Sequence, residues 1–455
     1  MNVKIELRRF ARDSLYNFIR HGWAILFGLG TSILLARGLG KEARGLYTLA
    51  ILLPEMLMIF SNLGLAAATV YLVGHGDYAP AEAIKNNFVI SILLSLVTVA
   101  IGALVVTFGA NWLFPNVPKN LLYLALAILP LMLLISALNA VFQGIHDFRS
   151  FNLFGMAAQL SLFIMVFLLV WIQKGGLRAA ILAYLSANLF TLIFLLAFIG
   201  YKFKPFAYST SRIDPQYGQK ALSFGIPAHL GNIVTFLNYR LDTVILNLLT
   251  GPVAVGIYSV SVGLGERFWI PSSAIGSVLF PKIAALDGQE EPRKQLTPLM
   301  SRLVFWISAI IAILVWPFLD WMITTFYSPV FREAVLPLKL ILPGTIFLNT
   351  TIILANDLNG RGKPQVYLYR SAIALCINIV SNIILIPRLG AAGAALSSTI
   401  SYTILAVLII HAYVRITRIH WQELLFLNRS DLTLVRNFLF SGRAIKSNDK
   451  LFPDP

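Results

Sequence analysis

Residues 223–284 decide what this chain can become. The segment reads as two apolar helices joined by the turn Thr250-Gly251-Pro252. Each helix is long enough to cross a bilayer, which takes about 20 apolar residues. Each also carries full charges well inside its apolar run: Arg240 and Asp242 in the first, Glu266 and Arg267 in the second. A charge at the centre of a lipid-facing helix costs roughly 2.5–3.5 kcal/mol, so four left in lipid would cost on the order of 10 kcal/mol. That is comparable to the stability of a whole domain, so these groups must face protein or water. Ionisable groups at such depth either mark a substrate or ion path or pair between helices, and both readings are open at this point. Helix geometry narrows them. At about 100° per residue, Arg240 and Asp242 point roughly 160° apart and cannot pair with each other. Thr235, Asn238 and Asp242 share one stripe; His229, Arg240 and Asn247 share another. One stripe is expected to face a cavity and the other a neighbouring helix.

The rest of the chain has the same character. Only 12% of its 455 residues are charged and 58% are hydrophobic, whereas soluble domains carry about 25% charged residues. The class is an all-α polytopic membrane protein. The single Cys376 excludes an intrachain disulfide, and the six histidines show no metal-ligand spacing. The net charge of +16 would suggest nucleic acid in a soluble protein. Here the basic residues lie between and after the apolar spans, so membrane orientation accounts for them and no nucleic-acid partner is expected.

Twelve apolar spans are predicted, at 17–36, 46–72, 88–109, 120–142, 153–172, 179–200, 228–249, 256–281, 303–325, 334–358, 367–386 and 392–414. Residues 1–16 suit an interfacial helix. The first apolar run lacks a small-residue cleavage site and reads as a retained helix. Pro54 and Gly64 interrupt the second span, and kinks are expected at Pro227, Pro271, Pro281, Pro317 and Pro343. With the N-terminus inside, the inner segments hold 25 of the 36 Lys and Arg and the outer segments 9. This bias predicts the cytoplasmic (inner) membrane with both termini cytoplasmic. The predicted organisation is an N-terminal six-helix lobe at 1–200, a cytoplasmic linker at 201–221, a C-terminal six-helix lobe at 222–414 and a basic tail at 415–455.

The two halves repeat each other. Gly40-KEAR-Gly45-Leu-Tyr47 aligns with Gly251-PVAV-Gly256-Ile-Tyr258 at an offset of 211, and Leu53-Pro54-Glu55 meets Leu264-Gly265-Glu266 at the same offset. Ile128-Leu129-Pro130 meets Ile341-Leu342-Pro343, Gln143-GIHDFR-Ser150 meets Asn359-GRGKP-Gln365, and Gly176-LRAAILAYLS meets Gly390-AAGAALSSTIS. An even number of spans per half sets both lobes the same way round, related by a pseudo-two-fold axis along the membrane normal. Glu55 and Glu266 then sit at similar depth, one per lobe, about ten residues or roughly 15 Å from the outer end. They either face a shared cleft or anchor neighbouring helices.

The runs Leu264-GERFWIPSSAIGSVLFPKIA, Trp316-PFLDWMITTFYSPVFREAVLPLKLILPG, Asn359-GRGKPQVY and Leu389-GAAGAALSSTIS resemble the oligosaccharide flippase (polysaccharide transporter) family of the multidrug/oligosaccharidyl-lipid/polysaccharide exporter superfamily. Leu34-LARGLGKEARGLYTLA and Gln143-GIHDFRSFN are similar to the matching N-half segments, so the resemblance covers residues 15–415. It implies translocation of an isoprenyl-pyrophosphate-linked oligosaccharide by lobes that rock around a central cavity. Membrane lipids and glycan polymerases or glycosyltransferases are the partners implied. Carried over to this chain, it makes Arg240, Arg267 and Lys339 candidates for the pyrophosphate, with Arg20 at the inner mouth of the first helix for headgroup capture. Asn238, Tyr239 and Trp269 are candidates for the sugars. No cofactor is expected, and proton or sodium coupling through Glu55, Asp242 and Glu266 is the open alternative. Twelve spans leave no room for the extra helix pair typical of lipid II flippases. A multidrug/cation antiporter of the same superfamily is the competing reading, against which the basic excess counts. A membrane glycan polymerase or ligase would want a sizeable outer loop, and the outer connections are short.

Overall fold

The structure is a computed structural model that describes residues 3–203, 214–270 and 290–427, with isolated positions between 272 and 286 and at 431. It is nearly all helical. In chain order the main helices are α1 (Val3–Ser61), α2 (Leu65–Gly74), α3 (Pro80–Leu104), α4 (Lys119–Leu126), α5 (Leu129–Gly144), α6 (Phe148–Val166) and α7 (Gly176–Lys202) in the N-terminal half. Then come α8 (Pro215–Thr250), α9 (Pro252–Gly265), α10 (Glu290–Val315), α11 (Val335–Gly360), α12 (Pro364–Leu389) and α13 (Ala391–Thr417). Among the described residues nine helical stretches are long and apolar enough to cross a membrane.

Local chemistry sets the boundaries. Proline occupies the first helical position of α3, α8, α9 and α12, where its missing N–H costs nothing. Asp147 and Asp214 cap α6 and α8 by accepting from the backbone N–H of Ser150 and Gln216. α1 is in fact two helices broken at Gly40, whose φ of 74° and ψ of −177° only glycine adopts readily. The predicted spans 17–36 and 46–72 therefore abut rather than being parted by a loop. The interruption expected at Gly64 is present, with φ 75° between α1 and α2, whereas Pro54 lies inside α1 without ending it. Pro343 also stays within α11, and Pro317 falls in a tight turn of helix, 316–318, that follows α10. Pro271 and Pro281 lie outside the described residues.

The linker expected at 201–221 needs correction. α7 runs to Lys202, and α8 is already helical from Pro215, with 204–213 outside the described residues. The start of α8 is docked on the N-terminal half. Tyr78 donates to Asp214 (2.8 Å), the Asp214 N–H donates to Asn86 (3.0 Å), and the fully buried Tyr217 donates to Asn87 (2.9 Å). At 36 residues α8 is about 54 Å long, well beyond the roughly 30 Å of a bilayer core. One continuous rod thus belongs to both halves. After α13 the chain turns at Arg418 (φ 59°) and a short helix, Gln422–Leu425, seats on α10. There Ser301 and Trp306 donate to the Leu424 and Leu425 carbonyls, and Arg302 pairs with Asp431 at 2.7 Å. The remainder of the predicted tail lies outside the described residues.

One apolar core is common to both halves near the end that carries the turns at Gly40 and Gly251. It joins Leu49, Leu53, Leu122 and Val170 to Val255, Tyr258, Leu338 and Leu342. Away from that end each half has its own core: Leu72, Leu138, Phe142 and Phe154 in one, Leu354, Ala374, Ile409 and Tyr413 in the other. The common core is tightest where α1 crosses α9. A Cβ on Gly45 would stand 2.7 Å from the Pro252 carbonyl carbon, and one on Gly256 would stand 2.8 Å from that of Lys41.

Candidate functional site

The crossing of α1, α8 and α9 sets the position of the buried charges. A cavity of about 350 Å³ opens beside it, lined among others by Arg44, Glu55, Gln159, Arg240, Glu266 and Arg267. A second cavity of about 360 Å³ shares Glu55, Arg240 and Glu266 and adds Phe236, Tyr239 and Trp269. The three shared residues stand where the two spaces adjoin. Arg240 donates to Glu266 across 2.6 Å. Glu55 lies within coulombic reach of both and makes no hydrogen bond among the described residues. The carboxylates that the repeat places at equal depth thus come together, one from each half, around a single guanidinium.

Arg267 is placed differently. Among the described residues it has no ion pair or hydrogen bond, and its buried Nε is unpartnered. Its guanidinium lies over Gly28, where a Cβ would stand 2.9 Å from Nη2. Glycine at that point makes the room the guanidinium occupies. Beside it the buried Oε1 of Gln159 also lacks a partner.

Arg44 is the residue that the sequence reading missed. With the second span drawn from 46, Arg44 falls among the nine outer-segment cations of the sequence reading. The helix begins right after Gly40, so Arg44 lies a full turn inside, only 9% exposed. Its Nε reaches Ser259 at 3.4 Å, its guanidinium lies 5.6 Å from the Tyr47 ring centroid, and its Nη1 is buried without a partner. A signal did exist: the repeat aligns Arg44 with Val255, a fully buried helix residue. Three guanidinium groups and two carboxylates therefore line one cavity, an excess of one positive charge. An unpartnered buried donor costs about 1–3 kcal/mol. Two arginines bearing such donors around one space suit an anion with several acceptor oxygens.

The aromatic pair proposed for sugars is assembled. Tyr239 and Trp269 lie with ring centroids 4.9 Å apart on the wall of the second cavity. Four other candidates are not brought to either cavity. Asn238 is 3% exposed, donates to the Ser371 carbonyl at 2.9 Å and accepts from Ser401. Asp242 is 1% exposed and accepts from Tyr258, from Ser398 at 3.0 Å and from the Thr243 N–H at 2.6 Å. Lys339 lies 5.9 Å from the centroid of the Trp316 ring, and Arg20 donates to Asn152 at 3.1 Å over Phe151. The two polar stripes of α8 now sort themselves. Thr235, Asn238 and Asp242 bind α12 and α13, while His229 contacts the Ile59 carbonyl and Arg240 faces the cavity.

Asp242 therefore has a structural task. Asp242→Ala leaves the buried Tyr258 and Ser398 hydroxyls only each other, 3.2 Å apart, and removes two bonds to the carboxylate, at about 1–3 kcal/mol for a buried group left short of a partner. The expected outcome is a Tm in detergent lower by several degrees. An unchanged Tm with altered ion dependence of transport would return Asp242 to a coupling role.

Comparison with known proteins fits this geometry. A family model described as "Polysaccharide biosynthesis protein" matches residues 10–286, and the MatE model matches residues 227–384. An "Uncharacterized membrane protein MJ1375" of Methanocaldococcus jannaschii is 23% identical over 429 residues, 90% of this chain and 98% of that one. The "Probable low-salt glycan biosynthesis flippase Agl15" of Haloferax volcanii is 24% identical over 424 residues, 88% of this chain and 83% of that one. Among solved structures, "Lipid II flippase MurJ, inward closed conformation" superposes with a TM-score of 0.73 at 14% identity, covering 97% of this chain and 94% of that one.

Proposed function

The chain belongs to the polysaccharide biosynthesis protein family of the multidrug/oligosaccharidyl-lipid/polysaccharide exporter superfamily, and on that premise we propose that it translocates an isoprenyl-pyrophosphate-linked oligosaccharide across the cytoplasmic membrane. The observation that carries the proposal is the arginine cluster. Arg44 comes from the N-terminal half and Arg240 and Arg267 from the C-terminal half, and all line one cavity. A pyrophosphate offers several acceptor oxygens at fixed spacing, and guanidinium groups match them bidentately. The Tyr239–Trp269 platform lies beside the cluster, where the first sugar of such a substrate would stack. The flippase names of the Haloferax volcanii relative and of the superposed structure support the same class of cargo. A cationic drug is disfavoured by the excess positive charge.

In this reading twelve spans form two six-helix lobes that alternate access around the cavity. The Gly45–Gly256 crossing supports a pseudo-two-fold relation, because residue 45 meets 252 while 256 meets 41, and these are partners at the 211 offset. The positive-φ pairs Gly40 with Gly251 and Gly176 with Gly390 support it too. The bias of Lys and Arg, 25 to 8 once the buried Arg44 is taken from the outer nine, supports cytoplasmic termini. The protein acts as a transporter rather than an enzyme, receiving its substrate from glycosyltransferases and handing it to a polymerase or ligase. Coupling to protons or sodium would run through Glu55 and Glu266.

The test is a vesicle assay: purified protein, a labelled isoprenyl-pyrophosphate oligosaccharide, and accessibility of the glycan in the opposite leaflet. Facilitated transfer is expected. Transfer of a cationic dye but not of the glycan lipid would overturn the proposal. A companion variant tests the electrostatics. Glu266→Gln releases Arg240 from its partner and raises the excess charge of the cavity by one. About tenfold tighter binding of the anionic substrate is expected, equal to 1.4 kcal/mol, together with slower turnover. Unchanged binding would mean that Arg240 does not meet the anion.

A further inference from the structure

A groove of about 550 Å³ runs along the outside of the N-terminal half, where α6, α7 and Trp23 of α1 meet. Trp23, Leu153, Met156, Leu160, Ile164 and Phe190 line it, and almost nothing polar reaches it. Leu153, Ile164 and Phe190 are among the exposed large apolar side chains. On α6 the lining runs from Leu153 to Met165, about 18 Å of helix, a little more than half of the roughly 30 Å hydrocarbon core.

Among the described residues, cations stand at the end of the groove near Leu153: Arg20 on α1, and the exposed Arg149 on α6 one turn before Leu153. Arg20 packs on α6 where the groove begins, over Phe151 and against Asn152, with its Nε 3.5 Å from where a Cβ on Gly155 would lie. Trp23 is fixed between Arg20 and the groove by its N–H bond to the Met156 carbonyl (3.2 Å). Of the five N–H donors of Arg20, protein engages one among the described residues, so donors remain for an anion. The same two helices turn their other faces to the arginine cavity, through Gly28 on α1 and Gln159 on α6.

We propose that this groove is the docking site for the isoprenyl chain of the lipid carrier, with Arg20 holding the carrier's phosphate at the membrane surface before the headgroup enters the cavity. The assignment rests on the translocation reading above. Charge and shape select the occupant. A single chain below a single phosphate fits one groove with Arg20 held at its mouth. A diacyl lipid would have to place its second chain elsewhere. The adaptable lining of methionine and aromatic groups suits a branched, unsaturated chain.

The experiment places a benzophenone side chain at Leu160 in the full chain, in zwitterionic vesicles, with a long-chain polyisoprenyl phosphate as the probe. A benzophenone at Val97, exposed on α3, is the control. Saturable cross-linking at Leu160 is expected, resistant to excess phosphatidylglycerol, about tenfold weaker in Arg20→Ala and unchanged in Arg267→Ala. Equal displacement by phosphatidylglycerol, or equal labelling at Val97, would reduce the groove to ordinary lipid contact and overturn the proposal. Loss of labelling in Arg267→Ala would also overturn it, since the chain would then bind only as an appendage of the cavity. Arg20→Lys, which keeps the charge, should recover most of the labelling; failure to do so in a folded variant counts against phosphate capture. Labelling without translocation leaves the groove standing and removes the transport reading. Translocation without labelling does the reverse.

Discussion

Arg267→Ala is expected to abolish translocation and to leave the protein as stable as before. The pairing of those two outcomes is what makes the prediction specific. Arg267 gives nothing to the fold through ion pairs or hydrogen bonds among the described residues, and its Nε is buried without a partner. Removing it relieves a desolvated donor, so Tm should stay level or rise slightly. A charge-assisted hydrogen bond to phosphate contributes about 1.5–3 kcal/mol, so losing a bidentate contact should weaken substrate binding by tenfold to more than a hundredfold. Arg267→Lys should recover only part of this, because an ammonium cannot present the paired donors. Arg44→Ala should act in the same direction with some loss of packing on Tyr47. Arg240→Ala should differ, since it removes the ion-pair partner of Glu266 and the guanidinium within coulombic reach of Glu55, and should lower Tm along with transport. Translocation at the wild-type rate by a folded Arg267→Ala protein would leave the arginine cluster without a function.

What the sequence shows, and what it hides, follows from how each interaction is encoded. Charges within apolar runs are conspicuous because lipid penalises them so heavily, so Arg240, Glu266 and Arg267 stand out from the chain alone. That Glu55 joins them was legible through the repeat. Which stripe of α8 faces the cavity was not, because helical spacing gives angles within a helix and no direction for its neighbours. The sequence reading therefore offers Asn238 to the sugars and Asp242 to ion coupling, whereas both serve α12 and α13. Lys339 is a related case, its ammonium lying over the Trp316 ring and lining neither cavity. Arg44 was hidden by a boundary: a break made by a single glycine takes no residues, and the sequence reading allowed it a loop. The docking of Tyr217 into the N-terminal half was invisible, since it depends on a polar pocket built from α2 and α3.

The second large effect is expected at the seam between α1 and α9. Gly45→Ala should prevent the two helices from closing, and Gly256→Ala should do the same. At each position the new methyl meets a backbone carbonyl, 2.7 Å from its carbon in one case and 2.8 Å in the other. A side chain can turn away from such a clash, but a carbonyl held in a helix ladder cannot. The cost should exceed the 1–3 kcal/mol typical of overpacking in a core that relaxes. Because the shared core is built on this crossing, the substitutions should lower Tm steeply, or leave the protein resting with the Gly40 end parted. The second outcome is readable as faster thiol labelling of Ser259→Cys, placed beside the crossing and otherwise half-buried, with the exposed Cys376 replaced by Ser. The two substitutions should have nearly the same effect, and the double variant should cost much less than their sum, since the first already separates the helices. That equivalence is the sharper half of the prediction. Two chance close contacts have no reason to match, whereas two contacts exchanged by one rotation must. Unequal effects would show that the two lobes do not meet here about a common axis, and a harmless Gly256→Ala would show that the helices do not cross this closely.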